Sequence, residues 1–247
     1  MRLGYVSPMP PARSGVADYS AALVAELRRH VQVELRPRTG CDNSIYQLGN
    51  NPLHAEAYRA ALERPGLAVL HDAVLHHLLL GILDEDAYVE EFVHNYGEWM
   101  RDLGRELWRD RSRSASDARY FEYPMLRRVV ERSRAVGVHN PGARRMVEAV
   151  ASARVVEIPH FFAPPRLPGA QRDTRDRLGI ASDEVVVSTF GYLRESKRIG
   201  STLKALNGLR RTRYLLVGEF VSPELERSLP PLLDPAVVIR RGHVPEE

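Results

Sequence analysis

Short apolar runs alternate along this chain with stretches of helical periodicity, and that alternation leaves few folds other than a parallel sheet flanked by helices. Leu3–Val6 is the first such run and ends at Ser7-Pro8-Met9-Pro10-Pro11, which cannot continue a hydrogen-bonded ladder. The spacing of Val16, Tyr19, Leu23, Val24 and Leu27 then predicts a helix over 16–29. Ser14 is its expected cap, Asp18 sits in its first turn, and Arg28, Arg29 and His30 suit its negative end. Further strands are expected at 31–35, 45–48, 67–70, 135–138 and 155–158, with helices at 53–63, 73–83, 86–110, 126–132 and 142–151 and an arginine-rich loop over 109–116. Four prolines between 159 and 168 rule out a regular element and read as a domain linker. After it the alternation restarts, with strands at 185–190, 214–217 and 237–239 and helices at 199–209 and 223–233. The fold class is therefore α/β. One parallel-sheet domain spans 1–165, and the first part of a second spans 166–247, since a doubly wound domain usually has about five or six strands.

Composition narrows the function classes. Apolar residues make up 44% and charged residues 27%, ordinary for a soluble globular protein. No apolar run reaches the roughly 18–20 residues a membrane-spanning helix needs, and the start is expected to be a strand rather than a signal peptide. The single cysteine, Cys41, cannot form an intramolecular disulfide, which fits a reducing, cytoplasmic setting. A net charge of +3, from 35 basic and 32 acidic residues, is weak support for a nucleic-acid partner, and none is expected. No zinc-type spacing, RNA-binding signature or heptad pattern is present. Only Lys197 and Lys204 are lysines.

Four constellations can do chemistry. The loop 7–20 lies between the first strand and the first helix, where open α/β sheets place ligands. There Gly15 permits close backbone approach, and the helix start offers free N–H groups to an anion; a plain tight turn with a helix cap would look the same. His71 and Asp72 follow the strand at 67–70. The histidine can donate to a sugar hydroxyl, and Asp72 can accept from one or cap the next helix. His76 and His77 are expected to pack as helix residues. Lys197 and Arg198, just before the helix at 199–209, are placed to hold a diphosphate; a solvated basic turn is the plainer reading. Last, Trp99, Met100, Leu103, Leu107 and Trp108 share a helix face with Arg101, Arg105, Arg109, Arg111 and Arg113 alongside. This arrangement is compatible with peripheral contact to anionic lipid or with a core face and a solvated rim.

The first three of these constellations, in this order, resemble the retaining GT-B glycosyltransferases called glycosyl transferase group 1, family 4. They are closest to a bacterial branch with an S-G-[IV]-A-D-Y-S motif, here Ser14 to Ser20 after Gly4-Tyr5-Val6-Ser7-Pro8. Further matching pieces are Tyr46-Gln47-Leu48-Gly49-Asn50-Asn51 with His54, Val69-Leu70-His71-Asp72 with Leu75-His76-His77, Ile158-Pro159-His160, Phe190-Gly191 with Lys197-Arg198, and Leu216-Val217-Gly218-Glu219. The resemblance implies two Rossmann-like domains, with a glycan or lipid-linked acceptor on the first, a nucleotide-sugar donor on the second, and no metal cofactor. It makes His71 the active-site histidine, sets Gly15 against the donor phosphates, and gives Lys197 the diphosphate. Arg194 or Arg198 would add the second charge, because Tyr192 stands where many members have arginine. Ser14, Asp18 and Asp72 fall on the acceptor side. The family's late glutamate pair would lie beyond Glu247, so the chain is expected to be C-terminally truncated and inactive by itself. Two other readings stand beside this one: a non-catalytic sugar- or nucleotide-binding or regulatory subunit, and a nucleotide-sugar epimerase of the same fold.

Overall fold

The computed structural model describes residues 1–37, 40–115, 117–161, 171–221, 223–229 and 238–242, with only the backbone for 171–173 and 241. It divides into two compact units, Met1–Pro164 and Pro165–Glu247. From residue 162 onward, the proline-rich stretch lies outside the described residues.

The first unit is built on six parallel strands: β1 (Arg2–Val6), β2 (Gln32–Leu35), β3 (Asn43–Leu48), β4 (Leu67–Leu70), β5 (Ala135–Val138) and β6 (Val155–Glu157). Their order across the sheet is β2-β1-β3-β4-β5-β6. The chain thus steps outward from β1 to β2 and then returns past β1 to β3, so the winding reverses between β1 and β3. The connections leave a crevice at the carboxyl ends of such strands. Register is fixed by pairs such as Tyr5 with Ile45, Leu48 with Leu70, and Leu70 with Val138.

Eight helices accompany this sheet among the described residues: α1 (Gly15–Leu27), α2 (Ala55–Glu63), α3 (His76–Ile82), α4 (Glu85–Tyr96), α5 (Arg101–Asp110), α6 (Arg119–Glu122), α7 (Arg127–Arg132) and α8 (Pro141–Val150). Polar caps set several starts. Ser14 accepts from the Val16 amide at 3.2 Å, Asp84 from Ala87 at 2.9 Å, and Asn140 from Ala143 at 2.8 Å. The core lies between sheet and helices, where Tyr46, Leu48, Leu70, Leu79, Phe92, Leu107 and Val138 are all essentially solvent-free.

Where one helix was expected over 86–110, there are two. Gly97 adopts φ +95°, a left-handed conformation that ends α4 at the cost of one turn and lets α5 fold back onto it. The expected loop over 109–116 is also partly helical, since α5 runs to Asp110 and a short 3₁₀ turn covers Arg111–Arg113. The apolar face of this region is core: Leu107 is buried, and Met100, Leu103 and Trp108 pack against the same cluster, while Trp99 stands 82% exposed. Arg101 pairs with Glu98 and Glu90, Arg105 with Asp102, and Arg111 stacks over Trp108. No helix among the described residues is long and apolar enough to cross a membrane.

His76 shows how a polar group is accommodated in this core. Its Nδ1–H donates to the Tyr123 carbonyl at 2.8 Å, and Tyr88 OH donates to Nε2 at 2.7 Å. Burial pushes its pKa from 6.5 down to about 4. The unfolded chain therefore takes up a proton below 6.5 that the folded chain refuses until about 4. Stability is full above that window and falls as pH drops through it, by about 3 kcal/mol for this residue. Urea midpoints measured across the window should fall with acidification, and His76→Gln should flatten part of the slope. An unchanged slope in the variant would show that His76 does not stay neutral in the fold.

The second unit has three parallel strands among its described residues, β7 (Val185–Phe190), β8 (Thr212–Val217) and β9 (Val238–Arg241), in sequential order. Helices α9 (Gln171–Leu178), α10 (Ile199–Leu206) and α11 (Pro223–Ser228) accompany them. At the strand ends Gly218, φ +133°, approaches Gly191 so closely that a Cβ there would lie 1.9 Å from the Gly191 oxygen. No residue with a side chain fits.

Candidate functional site at the carboxyl edge of the first sheet

His71 immediately follows β4, and its backbone N–H extends the ladder by donating to the Leu48 carbonyl at 2.8 Å. Its ring Nε2–H donates to Oε1 of the fully buried Gln47, on neighbouring β3, at 2.7 Å. His139 occupies the matching place after β5, and its Nδ1–H donates to the Ile158 carbonyl at 3.0 Å. His160 lies just past β6 and donates from Nδ1 to the Phe161 carbonyl at 3.0 Å. The ring centroids are 4.9 Å apart for His71 and His139, and 4.9 Å for His139 and His160. Tyr19, from α1, presents its ring edgewise to all three, at 4.8 Å from His71, 5.8 Å from His139 and 4.9 Å from His160. Below them, Tyr5 OH donates to Ser20 Oγ at 3.2 Å, and Ser20 and Ser7 share a 2.7 Å hydroxyl contact.

This surrounding has a definite charge preference. Burial, reinforced by His139, His54 and His160 nearby, pushes the His71 imidazole down to about 3. At any ordinary pH it is a neutral ring that donates to Gln47 and keeps one lone pair. Burial likewise raises the Tyr19 phenol. At the sheet's carboxyl edge His71 and Tyr19 thus present a neutral imidazole and a neutral phenol, suited to a hydroxyl or another neutral donor.

The other sequence-expected residues fall into two groups. In the first unit, Gly15 opens α1 and is exposed, and a Cβ there would meet nothing within 4 Å, so packing alone does not demand a glycine. Ser14 is the cap of that helix and Asp18 is exposed in its first turn. Asp72 does not cap the next helix. It accepts from the Asn50 amide at 2.9 Å, and Asn50 Oδ1 instead takes the α3 amides of His77 at 2.8 Å and Leu78 at 3.2 Å. His77 is held by Asn50 and the Ser114 carbonyl, so both His76 and His77 serve the packing, as expected. In the second unit, Lys197 ends a short 3₁₀ turn and Arg198 takes φ +52° just before α10. Arg194, Lys197 and Arg198 are all exposed. Arg194 lies 5.6 Å from the Tyr192 ring, and none of the three pairs with a carboxylate among the described residues.

The sequence reading missed His139 as a site member, and placed Tyr19, His160 and Gln47 only inside matched motifs. A signal existed for His139: like His71, it is the first residue after a buried strand. A cavity of about 330 Å³ lies at the opposite end of the strands, lined among others by Cys41, Asn43, Ser44, Arg64 and Arg134. It is remote from this cluster, because Asn43 and Ser44 begin β3 and Arg134 precedes β5.

No protein-family model matches the chain, and no curated protein matches it. Solved structures do. Anabaena Alr3699/HepE in complex with UDP matches over 99% of this chain and 70% of that one, with a TM-score of 0.50 at 15% identity. The same protein in complex with UDP-glucose matches over 100% and 70%, with a TM-score of 0.51 at 15% identity. Its complex with UDP and glucose matches over the same shares, at 0.50 and 14%. At these identities the likeness is one of fold: the chain shares the GT-B-like α/β class, with Rossmann-like parallel-sheet units.

Proposed function

We propose that this chain carries the acceptor-side and donor-side units of a glycosyltransferase that draws its sugar from a nucleoside diphosphate sugar. The observation that carries the reading is His71, a neutral imidazole held by Gln47 at the carboxyl end of β4 with its second nitrogen uncommitted. The fold it shares with a protein crystallised with UDP and UDP-glucose supports it, as do the motif resemblances. In this reading His71 accepts a hydrogen bond from a hydroxyl of the transferred sugar. The exposed start of α1 at Gly15 meets the donor phosphates, and Ser14, Asp18 and Asp72 face the acceptor, a glycan or lipid-linked sugar. Lys197, with Arg198 or Arg194, neutralises the departing diphosphate in place of a metal ion, and transfer retains the anomeric configuration. A cytoplasmic enzyme of surface polysaccharide assembly, resting at the inner face of a membrane, is the setting this reading favours.

The test uses the full-length protein and a panel of nucleoside diphosphate sugars, UDP-glucose among them. Release of nucleoside diphosphate and transfer to simple glycoside acceptors are followed, with the product anomer read by NMR. Turnover is expected with at least one donor, and His71→Ala should lower it about 100-fold or more while far-UV circular dichroism stays unchanged. Donor binding without turnover would replace this reading with a binding or regulatory subunit. No binding and no turnover with any donor would end it.

A further inference from the structure

His71, His139 and His160 come from three strand ends, yet one ring nitrogen of each lies within 4.8 Å of one from the other two. Each ring also has one nitrogen within hydrogen-bond distance of an oxygen: His71 Nε2 of Gln47 Oε1, His139 Nδ1 of the Ile158 carbonyl and His160 Nδ1 of the Phe161 carbonyl. The second nitrogen, Nδ1 on His71 and Nε2 on His139 and His160, has no hydrogen bond among the described residues and can serve as a ligand atom. No hydrogen bond joins any two of these rings among the described residues, and His139 Nε2 is buried with no partner at all. An unpaired buried acceptor costs roughly 1–3 kcal/mol. A cation held between the three rings would give that buried nitrogen a partner.

We propose that these three histidines form a binding site for a divalent transition-metal ion of the zinc type. Three imidazoles, each with an oxygen acceptor beside one ring nitrogen, match how proteins orient metal-bound histidine, the acceptor fixing the tautomer and raising ligand basicity. Magnesium and calcium favour oxygen ligands and are a poor fit to a set of nitrogens, whereas zinc, copper, nickel and cobalt accept them. Tetrahedral ligation at about 2.0–2.1 Å needs nitrogens about 3.3 Å apart, so the rings must close by about 1.5 Å. The exposed His160 has the freedom to do so. Three protein ligands leave a fourth position open for water or a ligand oxygen. His71 has one lone pair to give, so a metal and a sugar hydroxyl exclude each other there. The inference does not rest on the proposed transfer and is tested without it.

Chelator-treated full-length protein is titrated with zinc chloride by calorimetry and with cobalt chloride by visible absorption. One ion per chain is expected, with the intense visible bands of tetrahedral cobalt displaced by zinc. His139→Ala and His160→Ala should each weaken binding about 100-fold or more, whereas His30→Ala, at an exposed site beyond α1, should leave it within about twofold. His160 is exposed, so its variant should fold even if loss of His139 disturbs the sheet edge. Absence of saturable binding, or affinity unchanged in the His160 variant, would overturn the assignment.

Discussion

Replacing Lys197 by alanine in the full-length protein is expected to lower kcat/KM by roughly 30- to 1000-fold, the equivalent of about 2–4 kcal/mol of transition-state stabilisation. The side chain stands just before α10, where free amides of the helix start add to its charge. No carboxylate among the described residues competes for it, so its charge is available to a ligand. In the proposed transfer a departing diphosphate gains negative charge as the glycosidic bond breaks, so the loss should appear in kcat as well as KM. Lys204 is also exposed, on the body of α10, and provides the control: Lys204→Ala should stay within about twofold. Equal turnover in both variants would remove Lys197 from the site without touching the fold.

The largest loss of stability is expected from Phe92→Ala, about 3–5 kcal/mol in a urea titration followed by tryptophan fluorescence. Phe92 is fully buried on α4, its ring 4.8 Å from Tyr96, 5.3 Å from Tyr123 and 6.2 Å from Tyr88. Across from it, α5 comes so close that a Cβ on Gly104 would sit 3.1 Å from Phe92 Cδ1. The hole left behind is walled by rings that are themselves anchored: Tyr88 by His76, Tyr96 by the Met125 amide. Such walls cannot fall inward, so the cavity should persist. A cost below about 1 kcal/mol would mean that α4 and α5 close over the gap.

Strands were legible wherever a short apolar run stood between polar turns. The spans 67–70, 135–138 and 185–190 were read at the bounds β4, β5 and β7 have. Helices were read less well, for two physical reasons. Apolar spacing runs on across Gly97 from Phe92 and Tyr96 to Met100 and Leu103, so only the backbone angle at Gly97 shows that one helix has become two. The sequence of α9, Gln-Arg-Asp-Thr-Arg-Asp-Arg-Leu, has no apolar stripe to betray it. Of the site, His71 was visible because it ends an unmistakable strand. His139, followed by Asn140 and Pro141, looks like the lead-in to a helix cap, and that cap is indeed there. What local sequence could not disclose is that parallel pairing sets His139 beside His71.

The spacing of His71 and His139 comes from the sheet rather than from the length of chain between them. Neighbouring parallel strands stand about 4.8 Å apart, and the two rings, level across β4 and β5, measure 4.9 Å. The long excursion holding α3 to α7 leaves at one strand end and returns at the start of the next. It can therefore be trimmed, extended or exchanged for another insert while the ruler beneath His71 and His139 stays the same.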